Sequence, residues 1–337
     1  MTNTVNTWLF GTTLALASLS IEAAGFQQLD VSDPGFPDLK VGLWYPSEQA
    51  VPLEPNTEFE QPVALGAAMS KTNHALIVLS HGFGGWYASH ADTAAALADA
   101  GFIVAAPTHT GNTWSDMSSP IEKWALDRPR HVSRVIDHVL ADEALSLVVD
   151  PEKMGVYGFS AGGFTALGLI GGVPDLDYSR EFCKEQPEEF VCAEGMLDGM
   201  LQAQMHTLPS EAWGRDPRIK AAAIAAPGFG FAYTKATLSN VTADVQLWSG
   251  ELDESVPTSA NAASLAEKLP QRPETHWVEN ANHFAFMVVN CRDAFKQRDP
   301  EEYEVICGDA EGFNRWEFHE DMNREMANFF TDSLDVN

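Results

Sequence analysis

The chain has 337 residues, and its 48 Asp and Glu outweigh 20 Lys and Arg to leave a formal charge of -28. That balance argues against nucleic acid or anionic lipid as a partner, since both are held by concentrated Lys and Arg. With 45% apolar residues the chain is no disordered acidic tail, and its length suits one enzyme-sized α/β domain.

Residues 1–23 contain an apolar run from Trp8 to Leu19 followed by the small residues Ala23 and Ala24, the pattern of a signal peptide for a secreted or periplasmic protein. No Lys or Arg precedes Lys40, so the usual basic start is missing, and an N-terminal helix docked on the core is the competing reading. The run falls short of the about 20 apolar residues that span a bilayer, so no stable membrane anchor is expected.

Residues 24–337 read as a single domain. FQQLDVS and LKVGLWYP, separated by the turn-rich DPGFPD, predict an antiparallel pair at a sheet edge. Short apolar runs then recur at 74–80, 101–107, 153–160, 219–227, 245–250 and 275–280. Helix-like stretches lie between them at 88–100, at 129–141 after Pro129, at 161–170 and at 258–269, with a last one near 314–330. Runs of this length, joined by crossovers, predict a mostly parallel sheet covered on both faces. Segments 171–215 and 290–313 break the alternation, and both are acidic. Insertions after parallel strands become caps or binding loops, or remain solvated excursions.

Each insertion carries two of the four cysteines, Cys183 with Cys192 and Cys291 with Cys307. No CxxC spacing points to zinc or dithiol chemistry, and no metal is expected. In an exported protein four cysteines allow three connectivities, of which the local one closes two short loops; in a cytoplasmic protein they would stay reduced.

The segment MGVYGFSAGGF sets Ser160 in GFSAG, Gly158 to Gly162, between a predicted strand and a predicted helix. That is the setting of a nucleophile elbow, where side chains two positions from the serine would collide with strand and helix. An alcohol is a poor nucleophile until a base takes its proton, and the base needs a carboxylate to orient it. ELDESVP follows the next-to-last predicted strand and offers Asp253, with Glu251 and Glu254 as competitors. ANHFAFM follows the last strand and offers His283 as the base; His276 falls within that strand and His319 in the final helix. LSHGFGGW follows the first long parallel strand, so the amides of Phe83 and Ala161 are the candidate oxyanion donors, against an ordinary glycine turn.

These motifs, with VGLWYPS, APTHTGN and DRPRHVSRVIDHVL, resemble the α/β-hydrolase superfamily over about residues 25–330. Within it the chain is similar to the dienelactone-hydrolase-like group, related to platelet-activating-factor acetylhydrolases and cutinase-like polyesterases. The resemblance implies an eight-stranded sheet and serine ester hydrolysis without a cofactor. Two departures stand out: dienelactone hydrolases proper carry a cysteine where Ser160 stands, and many lipases a histidine where Phe159 stands.

Trp86, Phe229, Phe231 and Phe284 lie near these motifs and suit a hydrophobic substrate, a short-chain, aromatic, phthalate-type or polymeric ester, unless they only pack the core. The surplus of acid predicts a site mouth that disfavours anionic substrates. A serine peptidase or amidase of the same fold and a non-catalytic binding protein are the alternatives.

Overall fold

The computed structural model of the chain describes residues 23–70, 73–288 and 291–336. The apolar stretch at 1–22, read above as part of a signal peptide, lies outside the described residues.

The edge pair forms as β1 (Gly25–Val31) and β2 (Leu39–Tyr45), antiparallel with Leu29 opposite Val41. A two-residue strand, β3 (Ala64–Leu65), adds to the far side of β1. Then follow β4 (His74–Ser80), β5 (Ile103–Pro107), β6 (Val149–Phe159), β7 (Ile219–Ala225), β8 (Asp244–Gly250) and β9 (Glu274–Val278), all parallel to their neighbours in this set. The sheet order is β3-β1-β2-β5-β4-β6-β7-β8-β9. Nine strands replace the eight expected, because Ala64–Leu65 is too short to show a period of two.

Every residue of β4 and β5 is buried, as a continuous apolar run in a sheet covered on both faces requires. On one face Leu76, Val78, Ile103 and Val156 pack with Val132 and Val135 of α2 (Ile121–Ala141) and Leu167 of α3 (Ala161–Leu169). On the other, Ile77, Val104 and Tyr157 pack with Leu97 and with Phe330. Leu97 belongs to a helix at Ala91–Asp99, here α1, and Phe330 to the last helix, at Arg315–Ser333.

Helix α2 starts two turns earlier than Pro129 predicts. Proline favours the first helical turn because its missing N–H is unpaired there anyway. Here it sits inside the helix, with its ring against Gly214, where an added Cβ would lie 2.5 Å from the proline Cβ. The two extra turns contain Trp124 and Arg128, both buried.

The insertion at 171–215 forms α4 (Leu176–Glu185), α5 (Phe190–Ala193) and α6 (Met196–Gln202), and the bond Cys183–Cys192 ties α4 to α5. After α7 (Ala262–Lys268), the second insertion forms α8 (Asp293–Arg298) and α9 (Pro300–Cys307), closed by Cys291–Cys307. Arg315 opens the last helix, α10, and its buried guanidinium donates to the carbonyls of Met287 and Ile306, each at 2.8 Å. Among the described residues no helix is long and apolar enough to cross a membrane.

Helix α9 buries none of its residues, so the cross-link and Arg315 hold this insertion in place of a core. A disulfide closing a loop of this size contributes about 3 kcal/mol in the chain-entropy view. Replacing Cys291 and Cys307 together by Ser is expected to speed amide exchange across 291–308 at least about tenfold while β4 to β7 keep their protection. Unchanged exchange across the insertion would show that the disulfide does not hold it.

Candidate active site

Ser160 stands between β6 and α3 with φ 54° and ψ -114°, in the left-handed half of the map that a residue with a Cβ occupies only under constraint. The constraint is visible on both sides. Its N–H donates to the Ala225 carbonyl at 3.0 Å, and its own carbonyl accepts from the Gly163 and Gly228 amides at 2.9 and 3.1 Å. The turn is so tight that a Cβ on Gly158 would lie 2.1 Å from the Gly162 carbonyl oxygen, and one on Gly162 would lie 1.9 Å from that of Ser80. The second contact presses the elbow against the end of β4, where the His81–Gly85 loop begins.

His283 opens a short 3-10 turn after β9, and its Nε2 lies 3.1 Å from Ser160 Oγ. Its Nδ1 lies 2.8 Å from Asp253 Oδ2. The other carboxylate oxygen of Asp253 accepts the Val256 amide at 2.8 Å, which fixes the plane of the carboxylate. Asp253 is buried, whereas its neighbours Glu251 and Glu254 face solvent. His276 stacks on Trp248 with ring centroids 3.8 Å apart and pairs with Glu274. His319 reaches the site indirectly: its Nε2 donates to the Ala285 carbonyl at 2.9 Å and its Nδ1 to Asp92 at 2.6 Å, pinning the turn that carries His283.

The Ala161 amide is the first of helix α3, where a helix leaves its N–H groups without internal partners. The Phe83 amide lies in the loop after β4. Neither N–H has an acceptor among the described residues.

A cavity of about 850 Å³ opens over Ser160 and His283. Its apolar lining includes Phe59, Phe83, Trp86, Trp114, Phe284 and Phe295. Trp86 and Phe284 thus border it, but Phe229 and Phe231 do not. Phe229 packs on Phe164 at 4.8 Å and Phe231 stacks on Phe182 at 4.0 Å, both deep in the core. The reason is the turn after β7. Gly230 is wedged against Asn261, where a Cβ would lie 2.5 Å from its Cα, and this directs both rings toward α3 and α4.

The mouth is also less acidic than the chain as a whole. Glu58, Glu60 and Glu302 line the cavity beside Arg292 and Arg298, and Arg292 is ion-paired with Glu60. Both guanidiniums and Phe295 belong to the second insertion, whose part in the cavity the sequence left open between binding loop and surface excursion. Glu189 is a further carboxylate that sequence reasoning missed. Buried at the start of α5 and near Asp253, it caps the Val191 amide at 2.8 Å, and burial pushes its carboxyl up to about 7. A second cleft of about 560 Å³, with Asp244 and Glu274 at the opposite strand ends, holds none of these groups.

No family model and no curated protein matches the chain. Among solved structures it is similar to a ferulic acid esterase from Streptomyces cinnamoneus, with a TM-score of 0.59 and 19% identity over 96% of this chain and 93% of that one. At that identity the likeness shows the fold, and with the sheet order above it establishes that the chain has the α/β-hydrolase fold.

The contact between Gly162 and Ser80 sets a direct test. Gly162→Ala is expected to destabilise the protein by about 3 kcal/mol or more, because backbone rather than a movable side chain occupies the space. Urea unfolding measures it, and a midpoint equal to that of the parent protein would contradict the packing described.

Proposed function

We propose that this protein is a serine carboxylic-ester hydrolase that works through an acyl-enzyme. The observation that carries the reading is the unbroken line from Ser160 Oγ to His283 Nε2 at 3.1 Å and from His283 Nδ1 to Asp253 at 2.8 Å. In this reading His283 takes the Ser160 proton as the hydroxyl oxygen bonds to the ester carbonyl carbon. Asp253 holds the ring in the required tautomer and stabilises the imidazolium. The Phe83 and Ala161 amides donate to the oxyanion, and because they are fixed beforehand they need no reorganisation when charge develops. His283 then returns the proton to the leaving alcohol. A water molecule repeats the cycle on the acyl group, freeing the acid and restoring Ser160. Every proton in the cycle passes through His283, so the reading assigns no cofactor.

The aromatic lining suits short-chain or aromatic acyl groups, phthalate-type and polymeric esters included. That the similar solved structure is a ferulic acid esterase agrees with an ester bond next to an aromatic unit. Export belongs to the same reading, supported by two disulfides, which persist in oxidising compartments.

Hydrolysis of p-nitrophenyl esters from acetate to palmitate, run beside Ser160→Ala, tests the proposal. Turnover should peak among the shorter chains and fall at least ~10⁴-fold in the variant. Cleavage of aminoacyl amides without matching ester cleavage would move the assignment to a peptidase, and no Ser160-dependent turnover at all would move it to a binding role.

A further inference from the structure

Beneath the His81–Gly85 loop lies a charge that the reaction above does not use. Arg128, on α2, is fully buried, and no carboxylate forms an ion pair with it among the described residues. A buried cation without a counter-ion is costly, so what it does contact is informative. Its Nη2 donates to the carbonyl of His81 and, at 3.1 Å, to that of Gly82, while Nε and Nη1 find no partner among the described residues. Burial pushes the guanidinium down to about 9, which leaves it protonated at neutral pH.

Three buried histidines surround it, and their hydrogen bonds assign their protons. His81 Nε2 accepts the His109 amide at 3.1 Å, so the ring proton sits on Nδ1 and is donated to the Gly82 carbonyl at 2.7 Å. The 3.1 Å approach of Arg128 Nη2 to that Nδ1 is then a contact between two donors. Arg130 donates to His131 Nε2 at 3.2 Å, so His131 Nδ1 donates to His109 Nδ1 at 3.2 Å, and His109 Nε2 donates to Ser80 Oγ at 2.9 Å. Each ring is satisfied in its neutral form. Burial and the neighbouring guanidiniums agree, holding His81 and His109 well below the ordinary imidazole value and His131 at about 3.

The geometry points to Arg128 as a positioning residue that clamps the oxyanion loop by its inward-facing carbonyls. A trans peptide is planar, with its C=O and N–H pointing in opposite directions. Holding the Gly82 carbonyl on Arg128 therefore turns the Phe83 N–H away from the core, toward the cavity that Phe83 and Ser160 both border. The loop needs such a clamp because HGFGG is rich in glycine, whose peptides rotate at little steric cost. Arg128 touches no reacting atom; it acts through the Gly82–Phe83 peptide. This inference rests on the serine-esterase reading.

The test compares the parent protein with Arg128→Met and Arg128→Lys on p-nitrophenyl butyrate, with two inhibitors. A trifluoromethyl ketone adds to Ser160 and creates an oxyanion, whereas an alkyl ether of the same chain length fills the cavity without one. Arg128→Met should lower kcat about 100-fold, the cost of one misplaced oxyanion donor, with KM within about threefold. The ketone should weaken by the same factor as kcat, and the ether should bind as before. Arg128→Lys, which keeps a charged donor, should recover part of both losses, and it carries the test alone if Arg128→Met does not fold. Ser160-dependent hydrolysis with kcat and ketone affinity within threefold of the parent overturns the clamp alone. Ketone and ether weakening together also overturn it, since that is collapse of the cavity. Hydrolysis that survives Ser160→Ala sinks the serine-esterase reading and the clamp with it.

Discussion

The site depends on one close approach of two backbones. Gly162, in the first turn of α3, lies so near the Ser80 carbonyl that no side chain fits between them. That approach lets the strand β6 end in a turn sharp enough to lift Ser160 out of the sheet in a conformation costing of order 1–3 kcal/mol. The same approach brings the first helical amide beside the loop that follows β4. The strain is sustained because the end of β6, Met154 to Gly158, is paired with both β4 and β7, and the amide and carbonyl of Ser160 are both bonded.

From that contact the other groups follow by topology. Parallel strands deliver their carboxyl ends to one rim of the sheet, so the loops after β4, β6, β8 and β9 meet there. The β8 loop carries Asp253 and the β9 loop His283, each held by a local bond that does not involve Ser160: the Val256 amide for the carboxylate, and His319 through the Ala285 carbonyl for the histidine turn. Phe190 of the first insertion and Phe295 of the second both line the cavity; the first packs into the core, whereas in the second a cross-link takes the place of one. Beneath the loop after β4, burial and the neighbouring guanidiniums keep His81, His109 and His131 uncharged.

What was legible in the sequence was whatever local rules control. Strand β4 reads correctly from HALIVLS, bounded by polar residues, and the elbow reads from glycines whose spacing only a tight turn requires. Ser160, Asp253 and His283, separated by up to 123 residues in sequence, are brought within hydrogen-bond reach of one another by the strand order. Less legible was anything decided by tertiary direction. Phe229 and Phe231 sit beside the motifs in sequence, yet the wedge of Gly230 against Asn261 turns them inward. Pro129 reads as a helix start by the rule for proline, but packing against Gly214 holds it within α2. Arg128 gives no signal, because an arginine between Asp127 and Pro129, with Arg130 next, reads as exposed until the loop after β4 is seen to lie on it.

In the proposed reaction Ser160 is the activated nucleophile. Treating the protein with a fluorophosphonate and mapping the adduct by mass spectrometry tests it without any choice of substrate. A single adduct on Ser160 is expected, lost when His283 is replaced by Ala. An unlabelled protein, or an adduct on another residue, would contradict it.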